Sequence, residues 1–281
     1  MIKEKVQSAI ADMSSKVGRN SKHVYVNNET GVKIQGVSTI SSIVPKDWLA
    51  AWGAKEAVKA LGYSDYKGDT AKAEEMLAKI KKIESPDKFI ALLKEVKGAS
   101  RRKSSQALVD GKEGHKWLEE YVEAKIKNIS VPKVPTDNLK RPITQFLEWE
   151  KENVKEWVAA EAFICDIERG YAGQLDSIYI SKDDKLVLGD FKFATFLGED
   201  YYLQTAGYAA AFEQYGIQFD DRIIIRLPKT LEKEEYNLKT YTYSKIPNNI
   251  EVLTIPTKYK VDRDAFYAAL KVKAWINYVK K

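Results

Sequence analysis

The sequence predicts an α/β protein, a mixed central sheet flanked by helices behind a helical N-terminal region. Three observations lead there. Residues 154–167, 171–180 and 185–193 are strand-like runs joined by short turns, so they can pair as a meander. A helical stretch at 200–215 follows, and it can cross over to a strand parallel to one of those three. From Pro45 to about Lys97 the apolar spacing is helical.

Taken in order, "HVYVNNETGVKIQGVSTI" (23–40) alternates apolar and polar residues around Asn27 to Gly31 and predicts a β-hairpin. The helical region that follows breaks near Gly62, Gly68 and Ser85-Pro86. Ser85-Pro86-Asp87 has the form of a helix start, with Pro in the first turn. Another helix begins at about Ser100 or Lys112 and runs through Lys127, with the stripe Leu118, Tyr121, Val122, Ile126. Pro132 and Pro135 then break the chain, and a short helix fits 138–150. Beyond the meander and its crossover helix, strands fit 220–227 and 235–243, and a terminal helix fits 262–279. The expected division is an N-terminal hairpin and helical region (1–100) packed on a core (101–281), with one continuous domain as the alternative.

Composition narrows the class. With 281 residues, 44% hydrophobic and 31% charged, the chain reads as globular and long enough for a sizeable core. No run approaches the roughly 18 apolar residues of a membrane span, so no membrane partner is expected. The first twenty residues lack the apolar block of a signal peptide, and a cytoplasmic location is the expectation. The single cysteine, Cys165, excludes an internal disulfide and an iron–sulfur cluster held by several cysteines of this chain. No G-x-x-x-x-G-K-[ST] phosphate loop is present, so no nucleotide cofactor is expected. Net charge is +6 with pI near 9.0. The basicity is uneven. Lys94, Lys97, Arg101, Arg102 and Lys103 face only Glu95 in their stretch, and Lys258, Lys260, Arg263, Lys271, Lys273, Lys280 and Lys281 crowd the C-terminal one. Such runs suit a polyanion, although most are simply solvated faces.

The chemistry concentrates in "GQLDSIYISKDDKLVLGDFKF" (173–193). With "SKDDK" as the turn, Asp176 and Asp190 fall on adjacent strands, within one or two strand spacings of about 4.8 Å. Carboxylates that close repel unless a divalent cation accepts their oxygens. Lys192, two residues after Asp190, leaves the same strand face and can act on a water or a phosphate oxygen. Phe191 points the other way, which frees its backbone carbonyl for a metal. D-x-K is common by chance and alone reads as a solvated pair at a strand end. Other features add weight. Tyr201, Gln204, Tyr208, Ala211 and Tyr215 share one helix face, and Gln204 and Tyr208 put polar tips on it. His115 lies on the inward side of its helix, with Leu118, Glu119 and Val122. The other histidine, His23, stands at a strand start and carries no expected role. Glu161 lies on the strand before Asp176.

In this order and spacing the residues resemble the H…GxxD…DxK…QxxxY pattern of the RecB-like branch of the PD-(D/E)XK nucleases. The matching segments are "GKEGHKWLEEY", "AGQLDSI", "LGDFK" and "YLQTAGYAAAF". "VYVNNETGVKIQGVSTISSIV" followed by "WLAAWG" is similar to the opening segment of phage and mitochondrial single-domain members. The likeness covers roughly residues 23 to 230. It implies a restriction-endonuclease-like core and phosphodiester hydrolysis with one or two Mg²⁺ or Mn²⁺ ions, leaving 5′-phosphate and 3′-hydroxyl ends. Residue by residue, it implies metal ligation by Asp176, Asp190 and His115, with the Phe191 carbonyl. Lys192 corresponds to the catalytic lysine, and Gln204 and Tyr208 to the helix motif that braces the site and contacts DNA. Glu161 matches only loosely and is secondary.

The expected function is a metal-dependent DNA exonuclease acting on single-stranded or processed ends, in phage-type recombination, replication or repair. The expected partners are DNA and replication or recombination proteins, in a host cytoplasm if the gene is a phage's. Lys97, Arg101, Arg102 and Lys103 are the expected phosphate grips, and Trp48, Trp52 and Tyr63 could stack on bases. Alternatives are a structure-specific or nicking endonuclease with the same site, and a non-catalytic nucleic-acid-binding module.

Overall fold

A computed structural model describes residues 2–20, 24–64, 67–68, 70–195, 197–237 and 242–280; His23 lies outside them. The chain forms two compact units, residues 1–44 with 113–281, and residues 45–112. This partition differs from a boundary at residue 100. The N-terminal segment belongs with the sheet because its first helix and a strand pack there.

In the larger unit, α1 (Ile2–Lys16) buries Val6, Ala9 and Met13 at helical spacing. It runs along β6 (Val154–Asp166), which among the described residues pairs only with β7 (Tyr171–Ser181). Gln7 donates to the Val158 carbonyl (3.1 Å) and Ser14 to the Phe163 carbonyl (3.2 Å), so α1 side chains satisfy strand carbonyls. Covering an edge in this way blocks stray pairing. The sequence reading assigned no element to this stretch, because three buried residues make a narrow stripe.

The hairpin expected over 23–40 is present but shorter. β2 (Tyr25–Asn27) pairs antiparallel with β3 (Lys33–Gly36), and β1 (Val17–Arg19) adds to β2. Asn27 Oδ1 accepts from the Glu29 and Thr30 amides, and Gly31 takes the left-handed conformation the turn needs (φ 68°). Residues 37–41 coil into α2 (Val37–Ser41).

The main sheet is mixed, in the order β1-β2-β3-β7-β8-β9-β12, with β6 on β7. β8 (Leu186–Lys192) pairs antiparallel with β7 and parallel with β9 (Asp221–Arg226). The crossover helix expected at 200–215 is α8 (Asp200–Ala211), followed by a 3₁₀ turn at Glu213–Tyr215. Beyond β9, a separate ribbon of β10 (Glu232–Asn237) and β11 (Thr242–Pro247) stands where one strand was expected over 235–243, of which 238–241 lie outside the described residues. β12 (Glu251–Thr254), unforeseen, pairs antiparallel with β9. The terminal helix α9 (Tyr259–Val279) begins three residues before the expected 262.

Two apolar cores cover the sheet. One joins α1, α2, α8 and α9 to β6, β7 and residues Leu186 and Leu188 of β8. The other joins α7 (Lys140–Asn153) and the 113–127 part of α6 (Ala99–Lys127) to Trp157, Tyr179, Val187, Phe191, Ile223 and Ile225. On β8 the alternation of faces sends Asp190 and Lys192 to the side of Leu186 and Leu188, and Phe191 to the other. The open choice of helix start resolves as one helix from Ala99.

In the smaller unit, α3 (Trp48–Ala60) leads to a short antiparallel pair, β4 (Tyr63–Ser64) and β5 (Lys67–Gly68). α4 (Thr70–Lys81), α5 (Pro86–Lys97) and the start of α6 follow. Ser85 caps α5 with Pro86 in its first turn, as expected. Among the described residues, no helix is long and apolar enough to cross a membrane.

Candidate functional site

The pairing of β7 with β8 stops at Ser177 and Gly189. The next residue on each strand, past the last pair, is an acid: Asp176 and Asp190. The Phe191 amide, which no longer meets a β7 carbonyl, donates instead to Asp176 Oδ2 (2.7 Å). The Phe191 ring is buried on the opposite face, edge-on to Phe146. The divergence of two strands therefore places both carboxylates in one cleft.

Asp190 is wholly buried. Lys192 Nζ stands 2.5 Å from its Oδ2, a close ion pair, and apart from that ammonium neither carboxylate oxygen has a partner. The Lys192 ammonium also lies over the Tyr201 ring, 5.0 Å from its centre. His115 Nδ1 is 3.8 Å from Asp176 Oδ2. One ligand atom from each of His115, Glu161 and Asp176 lies within 4.8 Å of the others.

Glu161 reaches this cluster by an unusual backbone. It has φ 43° in the middle of a strand, between the pairs Ala160–Ser177 and Ala162–Leu175, abreast of Asp176. A left-handed non-glycine residue there stores about 1–3 kcal/mol of strain. Such strain within a strand points to a site rather than to packing.

The electrostatics agree. Burial, then repulsion by Asp176, Glu119 and Asp190, pushes the Glu161 carboxyl up to about 8. Burial raises Asp190 to about 6, with Lys192 opposing and Asp176 adding. Asp176 is raised by burial against the pull of Lys192 and the Phe191 amide. Burial, then the Lys192 charge, lowers His115 to about 4, so its imidazole is neutral and able to ligate. Burial would lower Lys192, but Asp190 and Asp176 outweigh it and hold the ammonium above its usual range. Three crowded carboxyl groups share one ammonium. The site is short of positive charge, and its donor set of three carboxyl groups and one imidazole fits a divalent cation.

Gln204 donates to the Tyr208 hydroxyl (2.8 Å). Tyr208 is buried, and Gly173 makes room for it: a Cβ at 173 would come within 2.7 Å of the ring. Burial, then the charges of Asp190 and Asp176, raises the Tyr208 phenol well above its usual range, which places it in the field of the site.

The structure thus brings His115, Glu161, Asp176, Asp190, Lys192 and Tyr208 together, with Gln204 behind Tyr208. Sequence reasoning assigned no role to Phe193, edge-on to His115 with centroids 5.6 Å apart. Gly114 is the signal for it, since a Cβ there would stand 2.3 Å from the Phe193 ring. The grips expected in the smaller unit divide. Lys97 and Arg101 are exposed. Arg102 and Lys103 are exposed too, but Arg102 donates to the Glu95 carbonyl (2.9 Å) and Lys103 to the buried Glu56 carboxylate (2.8 Å). Tyr63 is exposed and Trp52 half-buried. A scan against protein-family models matches none of them, and a search of curated protein sequences finds no match.

Proposed function

We propose that the chain is a divalent-cation-dependent deoxyribonuclease of the RecB-like PD-(D/E)XK kind, on a restriction-endonuclease-like core, which erodes DNA from ends during recombination, replication or repair. The observation that carries this reading is the Asp190 carboxylate, wholly buried with the Lys192 ammonium as its one partner, beside the cluster of His115, Glu161 and Asp176. A buried carboxylate in that condition destabilises a fold, whereas a cation would satisfy it. A Mg²⁺ or Mn²⁺ ion held by His115, Glu161, Asp176 and Asp190, with the Phe191 carbonyl, would polarise a phosphodiester and acidify water. The imidazole tilts the preference toward Mn²⁺.

The chain's own residues supply the rest. Lys192 is held charged between Asp190 and the Tyr201 ring, and can give an N–H to a phosphate oxygen as negative charge builds there. Phe193 fixes the plane of the neutral His115. Because Tyr208 accepts from Gln204, its own phenol proton is left to donate to an anionic oxygen.

The test uses linear strands labelled at either end, duplexes and closed circles, with Mg²⁺, with Mn²⁺ and with a chelator. The expected result is erosion of ends, sparing of circles and arrest by the chelator. Asp190→Asn and Lys192→Ala, purified and folded, each abolish cleavage. Cleavage at the wild-type rate by either variant defeats the reading, and cut circles redirect it to an endonuclease.

A further inference from the structure

The C-terminal part of α9 carries a surface that neither the fold nor the proposed site uses. Its N-terminal half is anchored. Tyr259 and Arg263 bond to Glu213 just past the end of α8, and Phe266 lies against Gly207. Arg222 joins Asp262 of α9 to the Tyr202 carbonyl of α8, and Lys273 reaches Ser42 just past α2. From there α9 projects. Trp275 is 63% exposed and Tyr278 77%, unusual for large rings, and Val272 and Val279 are open beside them. From Ala265 to Lys281 the sequence has four lysines and no Asp or Glu.

The position matters. A helix rises about 1.5 Å per residue, so Trp275 lies roughly 13 Å along α9 from Phe266, beyond its anchored part. The two exposed rings thus stand clear of the anchored half of the helix.

We propose that this end of α9 is a docking platform for single-stranded nucleic acid, with Trp275 and Tyr278 stacking on unpaired bases and Lys271 and Lys280 meeting their phosphates. The two rings are three residues apart on one helix, hence neighbours on its surface. Stacking on aromatic rings is tolerant of sequence, and a lysine cluster without Asp or Glu complements a polyanion. The platform rests on the nuclease reading for its place in a reaction, and it names strands with an unpaired segment as the substrate.

The experiment labels the full chain with 5-fluorotryptophan and titrates it, in EDTA, with a short oligothymidylate, a blunt duplex or anionic phospholipid vesicles. Trp275→Phe identifies the relevant fluorine resonance among the six tryptophans. The expected result is a shift of that resonance with the single strand alone, diminishing as salt rises. Trp275→Ala with Tyr278→Ala should weaken strand binding about tenfold or more. The same double variant should keep wild-type hydrolysis of a small diester, bis(4-nitrophenyl) phosphate, while losing cleavage of long strands. Unchanged strand affinity in the double variant overturns the platform. So does a shift caused only by vesicles, or one caused by raising protein concentration alone, which would mark a contact with a second copy. If the wild type cleaves neither substrate in Mn²⁺, the nuclease reading fails, and the titration in EDTA still decides the platform.

Discussion

At the scale of single residues, Glu161 shows how the site sets function against stability. Its left-handed backbone and its crowded carboxyl group both cost the metal-free fold. Glu161→Gly relieves both: glycine adopts that φ without penalty, and the charge disappears. The variant is expected to melt about 2–4 °C above wild type in EDTA, a gain of about 1 kcal/mol, and to lose most cleavage. The pH dependence has a definite sign. A carboxyl raised from 4.5 to about 8 on folding costs stability progressively as pH rises through that window, so the variant's advantage is larger at about pH 8 than at about pH 5. Thermal scans at both values check this, and an advantage that shrinks with pH contradicts it. Asp176, Asp190 and Lys192 were legible in the sequence because strand alternation alone gives their faces. The place of Glu161 was not, since nothing local announces a left-handed residue in a strand. Tyr201 was legible as part of a helix face, but its place over Lys192 depends on how α8 crosses β8.

Elements position these residues through glycines where large rings must come close. Gly114 on α6 admits Phe193, and Gly173 on β7 admits Tyr208. In a helix interior, glycine to alanine gains about 1 kcal/mol of propensity. At 114 the new methyl meets the Phe193 ring, which must swing off His115. Gly114→Ala is therefore expected to fold with near-wild-type stability and to bind Mn²⁺ about 10–100-fold more weakly, because His115 loses its orienting neighbour. Calorimetric titration with Mn²⁺ decides, and wild-type affinity would show Phe193 to be a bystander. Among the elements themselves, the long apolar strands and the crossover helix were legible from length and period. α1 and β12 were not. Their residues become an edge cover and an edge strand only against partners far along the chain.

For the whole molecule, charge and chemistry are segregated. Residues 45–112 contain 15 Lys and Arg against 10 Asp and Glu, so this unit carries +5 of the chain's +6. The unit with the acidic cluster is nearly neutral. Nonspecific attraction to a polyanion should therefore reside mainly in the smaller unit. Lys97→Glu with Arg101→Glu is expected to weaken DNA binding in EDTA and to reduce the salt slope by about 1–2, with melting temperature unchanged. A slope equal to wild type would place the phosphate contacts elsewhere. The basic run was plain in the sequence. The partition was not, because the N-terminal 44 residues join the larger unit through β3 on β7 and α1 on β6.

The measurement that bears most directly on the account is anomalous scattering from crystals soaked in Mn²⁺. The account predicts one or two peaks among His115, Glu161, Asp176 and Asp190, with Lys192 alongside, and none in the Asp190→Ala variant. Fully occupied density for those side chains with no manganese peak between them would contradict it.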